Sequence, residues 1–298
     1  PENVEAVNGI QSPRILAAIG RMAAWIYRQC DRVLVPSRSF ISRVTDRGMP
    51  ADRVEYWPQY AEDYYTAAKP FEEADTTTAE PTGSVSQTPE PMSQMLDRIE
   101  RCTFPVVFTG NIGTAQGLDV LIEAARLLPP TLDTVFFLVG DGRAREALEA
   151  RVRETGSPIA DRIVFCEQVP GEQVPAFLSR AGAALMTLAP DPVFSLYLPT
   201  KLQVYLASGV PILSVADGVA ADIVREAQAG IAVPSGDAAA LAQAVEQLAA
   251  MTPEQRAAIG RRGRAYFEQA FSKTALMDQL EDWLVHPAGD VRTGDLHG

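Results

Sequence analysis

Residues 106–128 read VVFTGNIGTAQGLDVLIEAARLL, and three textures meet in them without a spacer: an apolar run, a Gly-Asn-Ile-Gly turn and an amphipathic segment. The apolar run, closed by a glycine, reads as a buried strand. From 117 to 128 the apolar residues recur at three- and four-residue spacing, which predicts a helix. A strand that enters a helix through so short a turn is the building unit of parallel α/β sheets.

The unit recurs downstream. Strand-like runs VFFLVG, RIVFCE, AALMTL, PILSV and GIAVP alternate with helical patterns at 143–154, 171–181, 200–207, 219–228 and 237–250. The pattern predicts an α/β fold, a Rossmann-like parallel sheet with helices on both faces. Upstream, residues 13–29 and 39–47 read as helices, and DRVLVPS and VEYWP as short strands. The opening PENVEAVNG has no start signal and reads as the middle of a longer domain. Residues 66–98 are rich in Thr, Ser, Pro and Glu and read as a linker or mobile loop. The expected organisation is the end of an N-terminal domain at 1–59, a linker at 60–100, a ligand-binding domain at 101–265, a C-terminal helix crossing back at 266–285 and a tail at 286–298.

With 298 residues, 47% of them apolar, the chain can bury two cores. A formal net charge of −12 argues against nucleic acid as a partner, because binding phosphates along a strand needs clustered Lys and Arg. A local basic pocket for a small anion remains compatible with it. Cys30, Cys102 and Cys166 lack metal-ligand spacing and suit a reducing cytoplasm. The only histidines, His286 and His297, fall in the last stretch, which leaves no histidine for a triad or a metal site in the core. No apolar run reaches membrane-spanning length.

In folds of this class ligands sit beyond the carboxyl ends of the strands, so candidate residues belong in the strand-to-helix turns. The first turn offers Gly110, Asn111, Ile112, Gly113 and Gln116. A helix opening near Gln116 and Gly117 would aim free N–H groups at an anion there. The same residues equally serve a plain tight turn. The second turn offers Gly140 and Asp141, again with a simple Gly-rich turn as the competing reading. The third, Glu167, Gln168 and Val169, stands where backbone groups meet the edge of a base. In the fourth, Pro199 and Thr200 start a helix whose first turn holds Lys201. A cation there opposes the helix dipole, and a bound phosphate removes the conflict; a solvated surface lysine is the alternative.

The ordered blocks GNIGTAQGLDVLIEAARLL, FFLVGDG, RIVFCEQVP, LPTKLQVYLASGVPIL, DIVREAQAGIAVPSGD and YFEQAFSKTALMDQLEDWL resemble the nucleotide-sugar half of GT-B glycosyltransferases of the retaining group 1 type. GNIG with Gln116, PTK and YLASG is most similar to the bacterial amino-sugar transferases of O-antigen and capsule synthesis, of N-acetyl-fucosamine type. DRVLVPSRSF and VEYWPQYAEDYY resemble the end of the acceptor domain and the crossover from it. The resemblance implies a UDP-sugar donor, a lipid-linked or saccharide acceptor, no cofactor and no metal. Lys201 and Asn111 would then assist departure of the diphosphate, and the other turn residues would hold the donor. The donor phosphate would itself assist the acceptor hydroxyl, and the acceptor domain would touch the cytoplasmic face of a membrane.

Two departures stand out. Asn111 and Gln116 replace the Arg and Lys that hold the diphosphate in many relatives, and Leu196 and Val204 occupy the places of two customary glutamates. A sugar-nucleotide epimerase of the same fold, and a nucleotide-binding module without turnover, remain as other readings. With most of the acceptor domain missing, the chain is expected to bind a donor but not to glycosylate alone.

Overall fold

A computed structural model describes residues 12–67, 92–156 and 158–286. Among them, β1 (Val33–Val35) and β2 (Val54–Tyr56) pair in parallel as a small separate sheet beside the helices Pro13–Tyr27 and Ser39–Thr45. Six further strands form one all-parallel sheet: β3 (Phe104–Thr109), β4 (Thr134–Val139), β5 (Ile163–Cys166), β6 (Ala183–Thr187), β7 (Ile212–Val215) and β8 (Gly230–Val233). Their spatial order is β5-β4-β3-β6-β7-β8. The chain therefore winds outward from β3 in one direction, returns to β6 and winds outward in the other. The switch point of the sheet lies between β3 and β6.

Alternation along each strand sends successive side chains to opposite faces. Val107, Phe137, Ala184 and Ile212 enter one core, with the helices Met92–Arg101, Thr200–Ser208 and Val219–Glu226 laid over them. Val106, Phe136, Leu185 and Leu213 enter the other, under the helices Val120–Leu127, Arg145–Thr155 and Ala238–Ala249. Burial on both faces explains why the strands read as near-continuous apolar runs. The predicted α/β class and Rossmann-like layering are what the structure shows.

Four predicted boundaries move. The helix expected from 117 begins only at Val120, after a 3-10 turn at Thr114–Gln116. Gly117 between them is left-handed, at φ 60°, where a Cβ would lie 2.9 Å from the Ala189 backbone, and a right-handed helix cannot run through it. The helix expected at 171–181 shrinks to Val174–Leu178 behind a 3-10 turn. The single C-terminal helix expected at 266–285 is two helices, Pro253–Ala270 and Lys273–Val285. Thr252 and Gln255 form a capping box that starts the first, and Ser272 caps the second by accepting the Ala275 amide. Finally, the linker assigned to 60–100 has helical ends, Asp63–Ala67 and Met92–Arg101, and Ile99 in the latter is fully buried. Residues 68–91 of that linker, the opening PENVEAVNG and the tail beyond 286 lie outside the described residues.

The last helix touches the N-terminal segment. The Trp57 indole donates to the Leu276 carbonyl at 2.9 Å, and Arg32 lies 5.2 Å from the Trp283 ring centre.

The turns after β3 and β4 allow a sharp stability test. Gly140 has φ 149°, and a Cβ there would lie 2.0 Å from the Gly110 carbonyl oxygen. Gly140→Ala is expected to cost at least about 3 kcal/mol in urea unfolding, from backbone strain and overlap together. Gly156→Ala, at φ 69° and ψ 172° but with open space around it, should cost only the backbone strain, about 1–3 kcal/mol. Equal losses would show that the contact between the two turns carries no weight.

Candidate functional site

Pairing of β3 with β4 continues beyond both strands. Gly110 N–H donates to the Val139 carbonyl at 2.9 Å, Ile112 N–H to Asp141 at 2.8 Å, and Ala144 N–H to Ile112 at 3.0 Å. The first and second turns thus interlock, and their glycines are needed for backbone proximity, as the plain-turn reading held. Ile112, singled out as a donor contact, is fully buried with both backbone groups occupied, so its role is to anchor the turn.

On one side of this ridge, at the switch point, lies a cleft of ≈ 370 Å³. Gly110, Asn111, Gly140 and Asp141 line it from the first two turns. Gln168, Val169, Thr200 and Lys201 line it from the third and fourth. The structure brings these eight candidates together. Four others stand apart. Gly113 borders a different hollow of ≈ 270 Å³ beyond the ridge. Glu167 turns to Arg145, at 3.5 Å, while that guanidinium donates to the Gly140 and Cys166 carbonyls at 2.6 and 2.9 Å. Pro199 is the N-cap of the helix Thr200–Ser208. Gln116 acts through Lys201 instead of forming the predicted helix mouth.

Lys201 dominates the electrostatics. Its Nζ donates to Gln116 Oε1 at 2.9 Å and lies 3.7 Å from the centre of the Phe108 ring. The residue as a whole keeps some exposure, but its ammonium is enclosed, and burial lowers its pKa from 10.5 to about 7. No neighbouring carboxylate offsets that burial. The solvated surface lysine is thereby replaced by a desolvated cation with a neutral amide for a partner.

The helix that carries Lys201 is held on two sides. The Gln203 amide donates to the Gln59 carbonyl at 2.8 Å, and the Thr200 hydroxyl bonds the Gln59 side chain. On the other side, the Thr109 N–H donates to the Tyr205 hydroxyl at 3.0 Å; burial raises that phenol to about 12, so it stays protonated. Sequence reasoning missed Gln59, Tyr65, Val174 and Tyr205. Tyr205 was findable, since it stands four residues beyond Lys201 on the same helical face. Gln59 and Tyr65 belong to the crossover, where no periodicity points to them. Of the two replaced glutamate positions, Val204 lines the cleft and Leu196 ends a 3-10 turn whose carbonyl accepts from Ser39 at 2.5 Å.

A parallel sheet with an enclosed lysine in its switch-point cleft and Gly-rich turns at its rim defines an α/β protein of Rossmann-like type, with the cleft where ligands sit in such folds. Residues 103–251, half of the chain, match the family model described as glycosyl transferases group 1, and the chain belongs to that family. It is 29% identical over 146 residues to the 2-deoxystreptamine glucosyltransferase of Streptomyces kanamyceticus, covering 48% of this chain and 36% of that one. It is 29% identical over 185 residues to the GDP-mannose-dependent alpha-(1-6)-phosphatidylinositol monomannoside mannosyltransferase of Mycolicibacterium smegmatis, covering 59% and 46%. The matched stretches are thus under half the length of these relatives. Among solved structures, that of Anabaena HepE in complex with UDP superposes with a TM-score of 0.65 at 16% identity, over 86% of this chain and 64% of that one, a likeness of fold.

The enclosed lysine has a signature in stability. Its folded pKa of about 7 lies below the 10.5 of an exposed lysine, so the unfolded chain binds more protons between those values. Stability from this group is therefore lost as pH falls toward 7 and regained as pH rises toward 10.5. Lys201→Met should raise the melting temperature at pH 7. Over the same window the wild type should gain on this variant by up to about 1.4 kcal/mol per pH unit. A constant difference from pH 7 to 10 would mean that the ammonium is solvated.

Proposed function

We propose that this chain is the donor-binding part of a retaining glycosyltransferase, taking a sugar from a nucleoside diphosphate sugar, UDP-linked and N-acetylated, to a saccharide or lipid-linked acceptor. One observation carries the reading: among the described residues, the sole cation lining the switch-point cleft is an enclosed lysine with no carboxylate partner. A diphosphate supplies the missing negative charge. It also makes Lys201 more basic, so binding takes up a proton at pH values above 7.

The bond that breaks joins the anomeric carbon of the sugar to the diphosphate oxygen. Charge grows on the leaving diphosphate, where protonated Lys201 and the Asn111 side-chain amide can meet it. Gln116 holds the ammonium in place. Among the described residues no histidine lines the cleft, and in this reading the proton of the acceptor hydroxyl passes to a donor phosphate oxygen. Members named for different donors, GDP-mannose among them, occur among the relatives, and UDP is preferred here on the resemblance of the GNIG, PTK and YLASG blocks. Among the described residues no helix is long and apolar enough to cross a membrane. Access to a lipid-linked acceptor would come from contact with the cytoplasmic membrane face.

Calorimetric titration with UDP tests the placement. Lys201→Ala should weaken binding more than tenfold, because a charge-assisted contact contributes about 1.5–3 kcal/mol. Unchanged affinity would sink it. Since Lys201 already offsets part of the diphosphate charge, UDP binding should also persist in EDTA. Loss of binding on chelation, restored by manganese or magnesium, would overturn the metal-free reading.

A further inference from the structure

The donor cleft has one aromatic wall, and it comes from outside the sheet domain. Tyr65, on the short helix Asp63–Ala67, lines the cleft while only 8% exposed. Its neighbours in the lining include Gln168, Val169 and Val174, which follow β5. Lys201, Gly110 and Asn111 cluster instead at β3 and β6. Strands stand about 4.8 Å apart, so the β5 end lies about 10 Å from the β3 end. A ligand with a charged head at Lys201 and a flat apolar body reaching β5 has the form of a nucleoside diphosphate.

The ring of Tyr65 is fixed in place. It packs on Tyr64 with centroids 4.5 Å apart at 48°. Tyr64 in turn sits against Gly171, where a Cβ would lie 2.7 Å from the Tyr64 hydroxyl, so any larger residue would force the pair to move. Gly171 has no positive φ; here the glycine makes room for the tyrosines. Burial and the Tyr64 hydroxyl raise the Tyr65 phenol well above its usual range, which keeps it a neutral donor and acceptor. The segment around it is tied down at several points. Lys273 pairs with Glu62 and Asp63 at 3.5 and 3.7 Å, the Thr66 carbonyl accepts from Arg264, and Gln59 is bonded to Thr200 and Gln203.

We propose that Tyr65 is the base-recognising wall of the donor cleft: the nucleobase lies on its ring, and the Gln168 amide reads the base edge. This rests on the nucleotide-donor reading of the cleft and adds that base affinity is set by the crossover segment. A ring and a primary amide are the groups that recognise a flat heterocycle with alternating donors and acceptors.

The test compares UDP with inorganic pyrophosphate as ligands of the wild type, Tyr65→Leu, Tyr65→Phe and Lys201→Ala chains, with thermal melting as the folding control. Loss of a base-stacking ring should weaken UDP about tenfold in Tyr65→Leu. In that variant pyrophosphate affinity should hold within twofold, and Tyr65→Phe should keep most of the UDP affinity. Lys201→Ala should weaken both ligands. A second readout does not need Tyr65→Leu to fold. In wild type with labelled tyrosine, nuclear Overhauser effects should link the uracil ring protons to one tyrosine ring, identified by its absence in Tyr65→Phe. UDP binding that depends on Lys201 yet is indifferent to Tyr65→Leu, or equal loss of both ligands in Tyr65→Leu, overturns the base-wall assignment and leaves the donor site standing. Absence of the Overhauser effects overturns it as well. Failure of wild type to bind any nucleoside diphosphate overturns the donor reading and this inference with it.

Discussion

The hydrogen bond from the Ile112 amide to the Asp141 carbonyl, at 2.8 Å, carries the β3–β4 pairing past the last residue of either strand. Much of the site follows from it. Two turns held at hydrogen-bonding distance leave no room for a Cβ on Gly140 or Gly142, whose positions would fall 2.0 and 2.4 Å from the Gly110 and Ile112 carbonyl oxygens. The bond also sends the Ile112 side chain down into the core, which leaves Gly110 and Asn111 exposed at the rim. The resulting ridge separates the cleft that contains Lys201 from the hollow that contains Arg143 and Arg151. In that hollow Arg151 is already paired with Asp119, whereas Lys201 has no carboxylate.

The sheet was legible because its strands are buried on both faces, which makes them short apolar runs such as VVF and VFFLV, and because these alternate with helical patterns. The fourth turn was legible because Pro199 and Thr200 mark a helix start and Lys201 violates the dipole rule there. What could not be read were the properties that come from tertiary contact. The left-handed Gly117 is set by the approach of Ala189, far along the chain, and it removes the helix mouth that the local pattern promised. The desolvation of Lys201 depends on Phe108 and on the layers around it, and no sequence pattern encodes burial of an ammionium beside a ring. Both C-terminal helix starts are written locally, the first in the capping box Thr252-Pro-Glu-Gln255 and the second in Ser272.

The departures from the family pattern acquire a physical sense at Lys201. A second cation at position 116 would face the ammonium at 2.9 Å, in an enclosure that already lowers its pKa to about 7. Like charges at that separation would hold one of the pair neutral. A glutamine in the same place accepts a hydrogen bond from the lysine and adds no charge. Around Lys201 the cleft therefore keeps one cation in place of two that would compete. The cost is stability in the empty state, offset by the interleaved packing of a helix in which every residue from Leu202 to Ser208 is buried.

That helix is also the point where the crossover meets the cleft. Gln59 bonds the Thr200 and Gln203 side chains, the residues on either side of Lys201 and Leu202, while Ser39 holds the Leu196 carbonyl just before the turn. Trp57 ties the same segment to the last helix through Leu276. A shift of the crossover would thus move the start of the lysine helix and the wall at Tyr65 together, because both are fastened to residues 57–66. The position of the ammonium and the shape of the far end of the cleft are consequently one mechanical variable. In this fold the geometry around Lys201 is set as much by the segment that enters the sheet domain as by the sheet itself.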